Sequence, residues 1–289
     1  MKISLKAPAK INWFLSVLNK RDDGYHDIIS PVQCIDLFDI LSFEEAEDVR
    51  LLSGLDIPAE ENLIYKAAAL LKRVSSYKYG ARIELRKNIP VAAGLGGGSS
   101  DAASALIGLN RLWGLNYDRK ALMNLAAEIG SDVPFFLAGT FSLIEGRGEK
   151  VTAMTTEGTM ILLLAKPDIS VSTAWAYNSF ETGLTKKTVD IKLFCQALDR
   201  KNYAFLRDAV CNDLEDVVIR KYPVIGELKE KLKQNGALLS LMSGSGSAVF
   251  GVFHTFAEAA RASANLKGTW CRVVRTLNST DKLGMGNEA

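Results

Sequence analysis

The most informative run in the chain is Pro90-Val91-Ala92-Ala93-Gly94-Leu95-Gly96-Gly97-Gly98-Ser99-Ser100. Apolar and charged residues alternate before it, which predicts a strand over Ala81–Ile89 with one buried face. Apolar residues recur at helical spacing after it, which predicts a helix over Asp101–Trp113, with Ser99 and Ser100 as capping and first-turn residues. The predicted order is therefore strand, glycine loop and helix N-terminus.

This order of elements suits the binding of a phosphate chain. Glycines let backbone N–H groups approach a ligand closely, and a helix N-terminus adds unpaired N–H groups at the positive end of the helix dipole. A plain flexible turn between a strand and a helix would not need four glycines, each of which costs folding entropy. We therefore predict that residues 90–100 bind the phosphates of a nucleotide.

Two common phosphate loops do not describe this run. A Walker A loop requires a lysine directly after its glycines, and none stands there. A Rossmann loop requires glycine or alanine where Ser99 stands, and Asp118 is only a weak match to the acidic residue that should follow. The run instead resembles, over its whole length, the ATP loop of the GHMP kinases.

Composition restricts the class of protein. The chain has 289 residues, enough for one large domain or two of ordinary size, and 48% of them are hydrophobic against 24% charged. A formal net charge of +2 gives no strong field for nucleic acid or a membrane surface, and no apolar run is long enough to span a bilayer. Scattered cysteines without a C-x-x-C pair predict buried thiols. Together with an N-terminus that lacks the apolar block of a signal peptide, they predict a reducing cytoplasm.

The order of the remaining elements favours an α+β fold, because hairpins and helices occur without a strict β-α alternation. The N-terminal residues predict a hairpin or two short strands around Ala7-Pro8-Ala9, and a single helix is expected over Ile191–Phe205. A polar stretch at Val151–Thr159 suggests a boundary. We therefore expect an N-terminal ATP-binding unit of residues 1–155 and a C-terminal unit of residues 156–289 that contributes to the substrate site.

Three further positions are candidates for chemistry. Lys10 interrupts an apolar strand pattern, where a lysine is normally a solvated face residue. Asp132 follows a predicted helix and precedes two aromatic residues, so it is either an ordinary turn residue or a partly desolvated acid. Tyr25 and His26 follow the turn dipeptide Asp23-Gly24, where a histidine is usually just exposed. Taken singly, none of these positions requires a function.

Other motifs strengthen the resemblance to the GHMP kinases and favour one branch of them. That branch is matched by A-P-A-K-I-N at 7–12, D-G-Y-H at 23–26, E-N-L-I-Y-K-A-A at 61–68 and G-S-D-V-P-F-F at 130–136, and the third family motif by G-S-G-S-A-V-F-G at 244–251. The resemblance implies a two-domain GHMP kinase fold with mixed and antiparallel sheets and packed helices. It also implies ATP-dependent phosphorylation of the 2-hydroxyl of a cytidine diphosphate-linked methylerythritol, in the non-mevalonate route to isoprenoid precursors.

The same resemblance implies roles for individual residues. Asp132 matches the catalytic acid and Lys10 the catalytic lysine, while Asn62 and Lys87 join the glycine loop as ATP contacts on the adenine side. The implied substrate contacts are Asn12, Tyr25, His26, Arg147, Thr173 and Tyr177.

These residue types suit phosphoryl transfer, which depends on in-line positioning and charge neutralisation more than on covalent help. Asp132 can accept the hydroxyl proton or only position the hydroxyl, and Lys10 can steady charge on the transferred group. Mg²⁺ should bridge the ATP phosphates, with Ser99 or Ser100 as a candidate hydroxyl ligand and no carboxylate ligand assigned. Tyr177 offers a stacking face for cytosine.

Three other functions stay open at the level of sequence. Another GHMP kinase, acting on homoserine or mevalonate, would have no base for Tyr25, His26 and Tyr177 to bind. A nucleotide-binding regulator would have little reason to keep both Lys10 and Asp132, and a Rossmann oxidoreductase would be distinguished by nicotinamide binding. We expect a monomer or homodimer whose partners are ATP and a small-molecule substrate, without nucleic acid or membrane.

Overall fold

A computed structural model describes residues 2–180 and 189–281. These residues form two β-sheets with packed helices, which confirms the predicted α+β fold with mixed and antiparallel sheets. The strands are β1 Lys2–Asn12, β2 Ser16–Lys20, β3 His26–Ala46, β4 Arg50–Leu52, β5 Gly80–Arg86, β6 Phe141–Gly146, β7 Lys150–Ala153, β8 Ile161–Lys166, β9 Leu239–Met242, β10 Val249–Phe253 and β11 Trp270–Arg275. The helices are α1 Leu63–Ser75, α2 Gly97–Leu112, α3 Arg119–Ile129, α4 Phe135–Ala138, α5 Thr173–Asn178, α6 Ile191–Asp199, α7 Tyr203–Ala209, α8 Glu215–Lys221, α9 Pro223–Gln234 and α10 Phe256–Asn265, and Ala59–Glu61 forms a 3₁₀ turn.

The first sheet is organised around β3, which is 21 residues long. β1 and β2 pair antiparallel with one edge of β3, while β5 and β6 share the other edge. β1 is in turn bonded on its free side to the glycine loop, because the N–H of Lys10 donates to the carbonyl of Leu95 over 2.9 Å. Lys10 therefore lies between a central strand and the predicted phosphate loop, and not on a solvated face.

The structure differs from the prediction at the N-terminal strands and at the helix after Asp190. No turn divides β1 at Ala7-Pro8-Ala9: the strand continues through a register shift between Pro8 and Ala9, and such bulges are where strands tolerate proline. The predicted helix over Ile191–Phe205 is two helices, α6 and α7. Asn202 starts the second one by accepting the N–H of Phe205 over 3.2 Å, which caps a new N-terminus.

Helix α2 packs on the first sheet through small residues. Ala102 and Ala105 are fully buried on it, and a Cβ on Gly108 would lie 2.4 Å from the ring of Phe43. Because no larger side chain intervenes, α2 approaches the sheet closely and contacts both β1 and β3. This packing sets the N-terminus of α2 beside the strand that carries Lys10.

The second sheet is antiparallel throughout, in the order β11-β8-β10-β9. The connection between β9 and β10, residues 243–248, is the second glycine loop, and it reaches the glycine loop of the first sheet. The Ser243 hydroxyl donates to the carbonyl of Gly94 over 3.0 Å, and the Ala248 N–H donates to that of Ala93 over 3.0 Å. Strands of the first sheet end at Ala153 and those of the second begin at Ile161. The division into residues 1–155 and 156–289 stays a prediction.

Candidate active site

The predicted phosphate loop connects β5 to α2 and folds back onto two other parts of the chain. Gly94 and Gly96 have φ angles of +72° and +69°, a region that glycine adopts without strain. A Cβ on Gly94 would lie 2.0 Å from the carbonyl oxygen of Ser243, and one on Gly96 would lie 2.9 Å from carbons of Lys10 and Phe136. Backbone conformation and lack of space therefore both require glycine at these two positions.

The helix after the loop begins at Gly97 and not at the predicted Asp101. Glycine has low helix propensity, which hides this first turn in the sequence. A Cβ on Gly97 would lie 2.8 Å from Nζ of Lys87, so the lack of a side chain there leaves room for Lys87 beside this first turn. Ser99 and Ser100 lie in the first turn as predicted, although the N-cap is a glycine. The glycine run thus includes the helix N-terminus itself.

Lys10 is buried, with 6% of its surface exposed. Its Nζ donates to Oδ1 of Asn12 over 2.5 Å, and Nδ2 of Asn12 donates to the Ser30 hydroxyl over 2.7 Å. That hydroxyl donates in turn to the carbonyl of Phe14 over 2.6 Å. Burial lowers the pKa of Lys10, and the negative charge of Asp132 acts in the opposite direction. The ammonium is thus fixed by a chain of polar side chains.

Asp132 lies in the turn between α3 and α4. Gly130 follows the last residue of α3, and Pro134 prevents that helix from continuing. Oδ1 of Asp132 lies beside the turn between β6 and β7, 3.7 Å from the position that a Cβ on Gly148 would occupy. Burial raises the pKa of Tyr177 above its ordinary value, and the charge of Asp132 raises it further. Asp132 therefore acts electrostatically on Tyr177, as it does on the buried lysine of β1.

Aromatic side chains form a second group. The rings of His26 and Tyr177 stack with centroids 5.6 Å apart and 30° between their planes. Burial lowers the pKa of His26, and the charge of Lys20 lowers it further, which favours the neutral imidazole at neutral pH. The ring of Tyr25 is 52% exposed and carries the guanidinium of Arg147 at 5.3 Å from its centroid. Arg147 thus touches an aromatic ring of the predicted substrate site.

The two residues predicted on the adenine side also have contacts of their own. Asn62 is the N-cap of α1, where its Oδ1 accepts the N–H of Ile64 over 2.9 Å. Nζ of Lys87 donates to Asp39 and, over 2.7 Å, to Oδ2 of Asp101. Lys87 therefore lies between two acids directly beside the first turn of α2.

Sequence reasoning did not find this cluster of Asp39, Lys87 and Asp101. Both carboxylates are buried, and Oδ1 of Asp39 also accepts the N–H groups of Asn88 and Ile89. Burial raises the pKa of Asp101 to about 7, with Lys87 lowering it and Asp39 raising it further. Asp39 is one of several acids along β3, and only the sheet register brings it under the loop, so no local signal marked it.

A cavity of about 870 Å³ joins these groups. Its wall contains every predicted site residue except Ser100, which is fully buried in α2. Gly244–Gly246 of the second glycine loop also line it, and the hydroxyls of Thr173 and Ser245 are hydrogen-bonded at 2.8 Å. Residues that are distant in sequence, from Lys10 to Gly246, therefore converge on one cavity.

Two absences concern only the described part of the chain. Across residues 2–180 and 189–281, no three His, Cys, Asp or Glu side chains are grouped so that they could hold a metal ion. Over the same ranges, no helix is both long and apolar enough to cross a membrane.

Two family models match the chain: that of the GHMP kinases N-terminal domain over residues 62–140, and that of the GHMP kinases C-terminal region over residues 191–270. The chain belongs to the GHMP kinases. It is therefore an ATP-dependent phosphotransferase, and its glycine run has the place in the fold that the sequence predicts.

Relatives of this GHMP kinase cover almost its whole length. It is 46% identical to the 4-diphosphocytidyl-2-C-methyl-D-erythritol kinase of Thermodesulfovibrio yellowstonii, over 95% of this chain and 98% of that protein. It is 44% identical to a protein of the same name from Geobacter metallireducens, over 91% and 94% of the two chains. The crystal structure of a 4-(cytidine 5'-diphospho)-2C-methyl-D-erythritol kinase superposes with a TM-score of 0.82 at 33% identity, covering 94% of this chain and 99% of that one. A homoserine kinase from Cytophaga hutchinsonii, at 17% identity and a TM-score of 0.72, shares the fold alone.

Proposed function

We propose that this GHMP kinase transfers the γ-phosphoryl group of ATP to the 2-hydroxyl of 4-diphosphocytidyl-2-C-methyl-D-erythritol, a step in non-mevalonate isoprenoid precursor synthesis. The observation that carries the proposal is the single cavity lined by the glycine loop, by Lys10 with Asp132, and by the His26–Tyr177 stack. The loop would hold ATP, while the alcohol of the substrate must reach Lys10 and Asp132 and its base must reach the aromatic pair, so the reaction needs all three groups in one cavity.

The glycine loop and the N-terminus of α2 hold the phosphates of ATP. Gly94, Gly96, Gly97 and Gly98 line the cavity without side chains, so their N–H groups and the helix dipole can act on phosphate directly. Asn62 and Lys87 contribute to the wall on the adenine side. Binding of this kind positions the γ-phosphoryl group, which is the main requirement of phosphoryl transfer.

Asp132 and Lys10 act on the reacting groups. The hydroxyl oxygen of the substrate forms a bond to the γ-phosphorus while the bond to the oxygen of the leaving ADP breaks, and Asp132 receives the hydroxyl proton. The buried ammonium of Lys10 stabilises the charge on the transferred group, in surroundings where water does not screen it. Asn12 orients that ammonium through its hydrogen bond to Nζ.

The aromatic group binds the cytidine diphosphate part of the substrate. Tyr177 and Tyr25 supply ring faces for stacking, and a neutral His26 offers one donor and one acceptor to the edge of the base. Arg147 and Thr173 lie in the same wall, where a guanidinium and a hydroxyl suit the substrate phosphates.

The N-terminus of α2 fits a magnesium ion. The Ser100 hydroxyl and Oδ1 of Asp101 are buried without a hydrogen-bond partner, and hydroxyl and carboxylate oxygens are ligands that Mg²⁺ takes beside phosphate oxygens. Asp101 and Ser99 line the cavity, whereas the other candidate, Ser100, does not, so we propose that Asp101 or Ser99 would hold the ion. When bound, Mg²⁺ would neutralise charge on the ATP phosphates. Cytoplasmic location and a monomeric or homodimeric state complete the proposal.

A coupled ADP-release assay tests the proposed function. We expect turnover with the cytidine diphosphate substrate and Mg²⁺-ATP, and kcat/KM lower by at least about 10³-fold with mevalonate or homoserine, which cannot use the aromatic group. Phosphorus NMR of the product should place the new phosphate on the 2-hydroxyl. Preference for mevalonate or homoserine, or phosphate at another position, would contradict the assignment. Asp132→Asn serves as the control for contaminating kinases.

A further inference from the structure

Asn212 is buried in the connection between α7 and α8, and its side chain uses every hydrogen-bonding group it has. Nδ2 donates to the carbonyl of Met242 over 2.8 Å and to that of Gly244 over 2.7 Å. Oδ1 accepts the N–H of Leu214 over 3.0 Å. One amide group therefore clamps the start of the second glycine loop.

The backbone of Asn212 is fixed to the segment that follows β1. It forms a parallel bridge with Leu15, in which the N–H of Leu15 donates to Cys211 over 2.8 Å and the N–H of Asp213 donates to Leu15 over 2.9 Å. Oδ2 of Asp213 also accepts the N–H of Val17 over 2.8 Å. Asn212 is thus held against the stretch that joins β1 to β2.

The residue that Asn212 clamps lies directly against the reacting groups. A Cβ on Gly244 would stand 3.2 Å from Nζ of Lys10, 3.2 Å from the carbonyl oxygen of Gly94 and 3.3 Å from Oδ1 of Asn12. Gly244 therefore packs directly against the Lys10 ammonium. A chain of contacts runs from Leu15, which follows β1, through Asn212 to Gly244 and on to Lys10 of β1.

We propose that Asn212 is a positioning residue for phosphoryl transfer, which acts through Gly244 to fix the ammonium of Lys10. The role requires a primary amide, because two carbonyl oxygens need two N–H donors from one side chain. A carboxylate would repel both carbonyls, and an alanine would leave them buried and unpaired. The proposal rests on the proposed function, since it concerns the lysine of that reaction.

The first test compares Asn212→Ala and Asn212→Asp with the wild type in steady-state assays. Both variants lose the two N–H donors, and aspartate keeps the size of the side chain. We expect kcat to fall by roughly 10- to 100-fold, because small displacements of positioned groups carry losses of this order. KM for ATP and for the cytidine substrate should stay within about threefold, because Asn212 itself does not line the cavity. Asn202→Ala is the matched control. It removes the side-chain cap at the N-terminus of α7, whereas Asn212 lies beyond the C-terminus of the same helix.

The second test measures Lys10 without any substrate. Acetic anhydride labelling, followed by peptide mass spectrometry, reports how well Gly244 shields the amine. Labelling of Lys10 should be at least about fivefold faster in the Asn212 variants and unchanged in Asn202→Ala, because only the former release Gly244. If the wild type does not turn over the cytidine substrate, the proposed function fails, while this measurement still decides the positioning role.

The outcomes separate cleanly. Unchanged Lys10 labelling in folded Asn212→Ala overturns the proposal whatever happens to kcat. A kcat within about threefold of wild type, or a loss equal to that of Asn202→Ala, overturns it as well. Should the Asn212 variants fail to fold, Gly244→Ala perturbs the same contact from its other side. It must then change both the labelling of Lys10 and kcat, and wild-type behaviour in Gly244→Ala refutes the proposal.

Discussion

Replacing Gly94 with alanine should damage both the fold and the nucleotide site, through two separable effects. The backbone effect arises because an L-residue at a φ of +72° costs about 1–2 kcal/mol. The steric effect arises because the new Cβ would stand 2.0 Å from the carbonyl oxygen of Ser243. A backbone atom cannot turn aside as a flexible side chain can, so the two glycine loops must separate, at about 1–3 kcal/mol. The free energy of unfolding should therefore fall by about 2–5 kcal/mol.

Gly114→Ala is the variant that isolates the backbone effect. Gly114 has a φ of +61°, and a Cβ there would meet nothing within 4 Å. In urea denaturation it should lose only about 1–2 kcal/mol, and Gly94→Ala should lose about 1–3 kcal/mol more. Isothermal calorimetry should show ATP binding weakened at least about tenfold in Gly94→Ala, because the displaced loop forms the phosphate wall, and unchanged in Gly114→Ala. Equal stability losses with normal ATP binding in both variants would refute the close approach of the two loops.

Three further predictions concern the reacting pair, the aromatic group and the buried cluster. Asp132→Asn should lower kcat by roughly 10²–10⁴-fold in single-turnover phosphoryl transfer while both substrates still bind. In the double variant with Lys10→Ala, the loss should be far below the sum of the two single losses in free energy, and full additivity would count against a shared role. His26→Ala or Tyr177→Ala should raise KM for the cytidine substrate by the equivalent of about 1–3 kcal/mol and leave KM for ATP unchanged, and equal rises for both would argue against base recognition. Because burial raises the pKa of Asp101 from 3.8 to about 7, the folded state holds this proton more tightly than the unfolded state does. The contribution of Asp101 to the free energy of unfolding should therefore fall as pH rises from about 4 to 7. Denaturation curves of Asp101→Asn should show a weaker fall of stability with pH than the wild type, and an unchanged pH dependence would contradict the raised pKa.

The glycine loop was predictable because its information is local. Residue types at fixed spacing, with a strand before and a helix after, describe a phosphate loop without knowledge of the rest of the chain. Lys10 and Asp132 needed more than local pattern, since a lysine in a strand and an aspartate after a helix are ordinary surface residues. Their meaning came from the family resemblance, and the structure brings both to the wall of the same cavity.

Features that depend on sheet register or on contacts between distant segments were not predictable. Asp39 reaches the loop only because of the way β3 pairs with β5, and α2 begins at Gly97 although glycine has a low helix propensity. The bulge after Pro8 is also decided by the partner strand. Asn212 lies outside the motifs quoted above, and its contacts form only when the second glycine loop packs against it.

The contact between the two glycine loops also limits when the nucleotide site can exist. Gly94 and Ser243, whose hydroxyl closes the loop, are 149 positions apart. A ribosome that adds about 5–20 residues per second needs roughly 7–30 s to travel that far. During this interval the nascent chain contains the first glycine loop without the Ser243 contact that supports it. Binding of ATP to the complete site therefore cannot yet stabilise the folded chain. A transcript cut short before Ser243 would encode every residue of the first loop and none of its support.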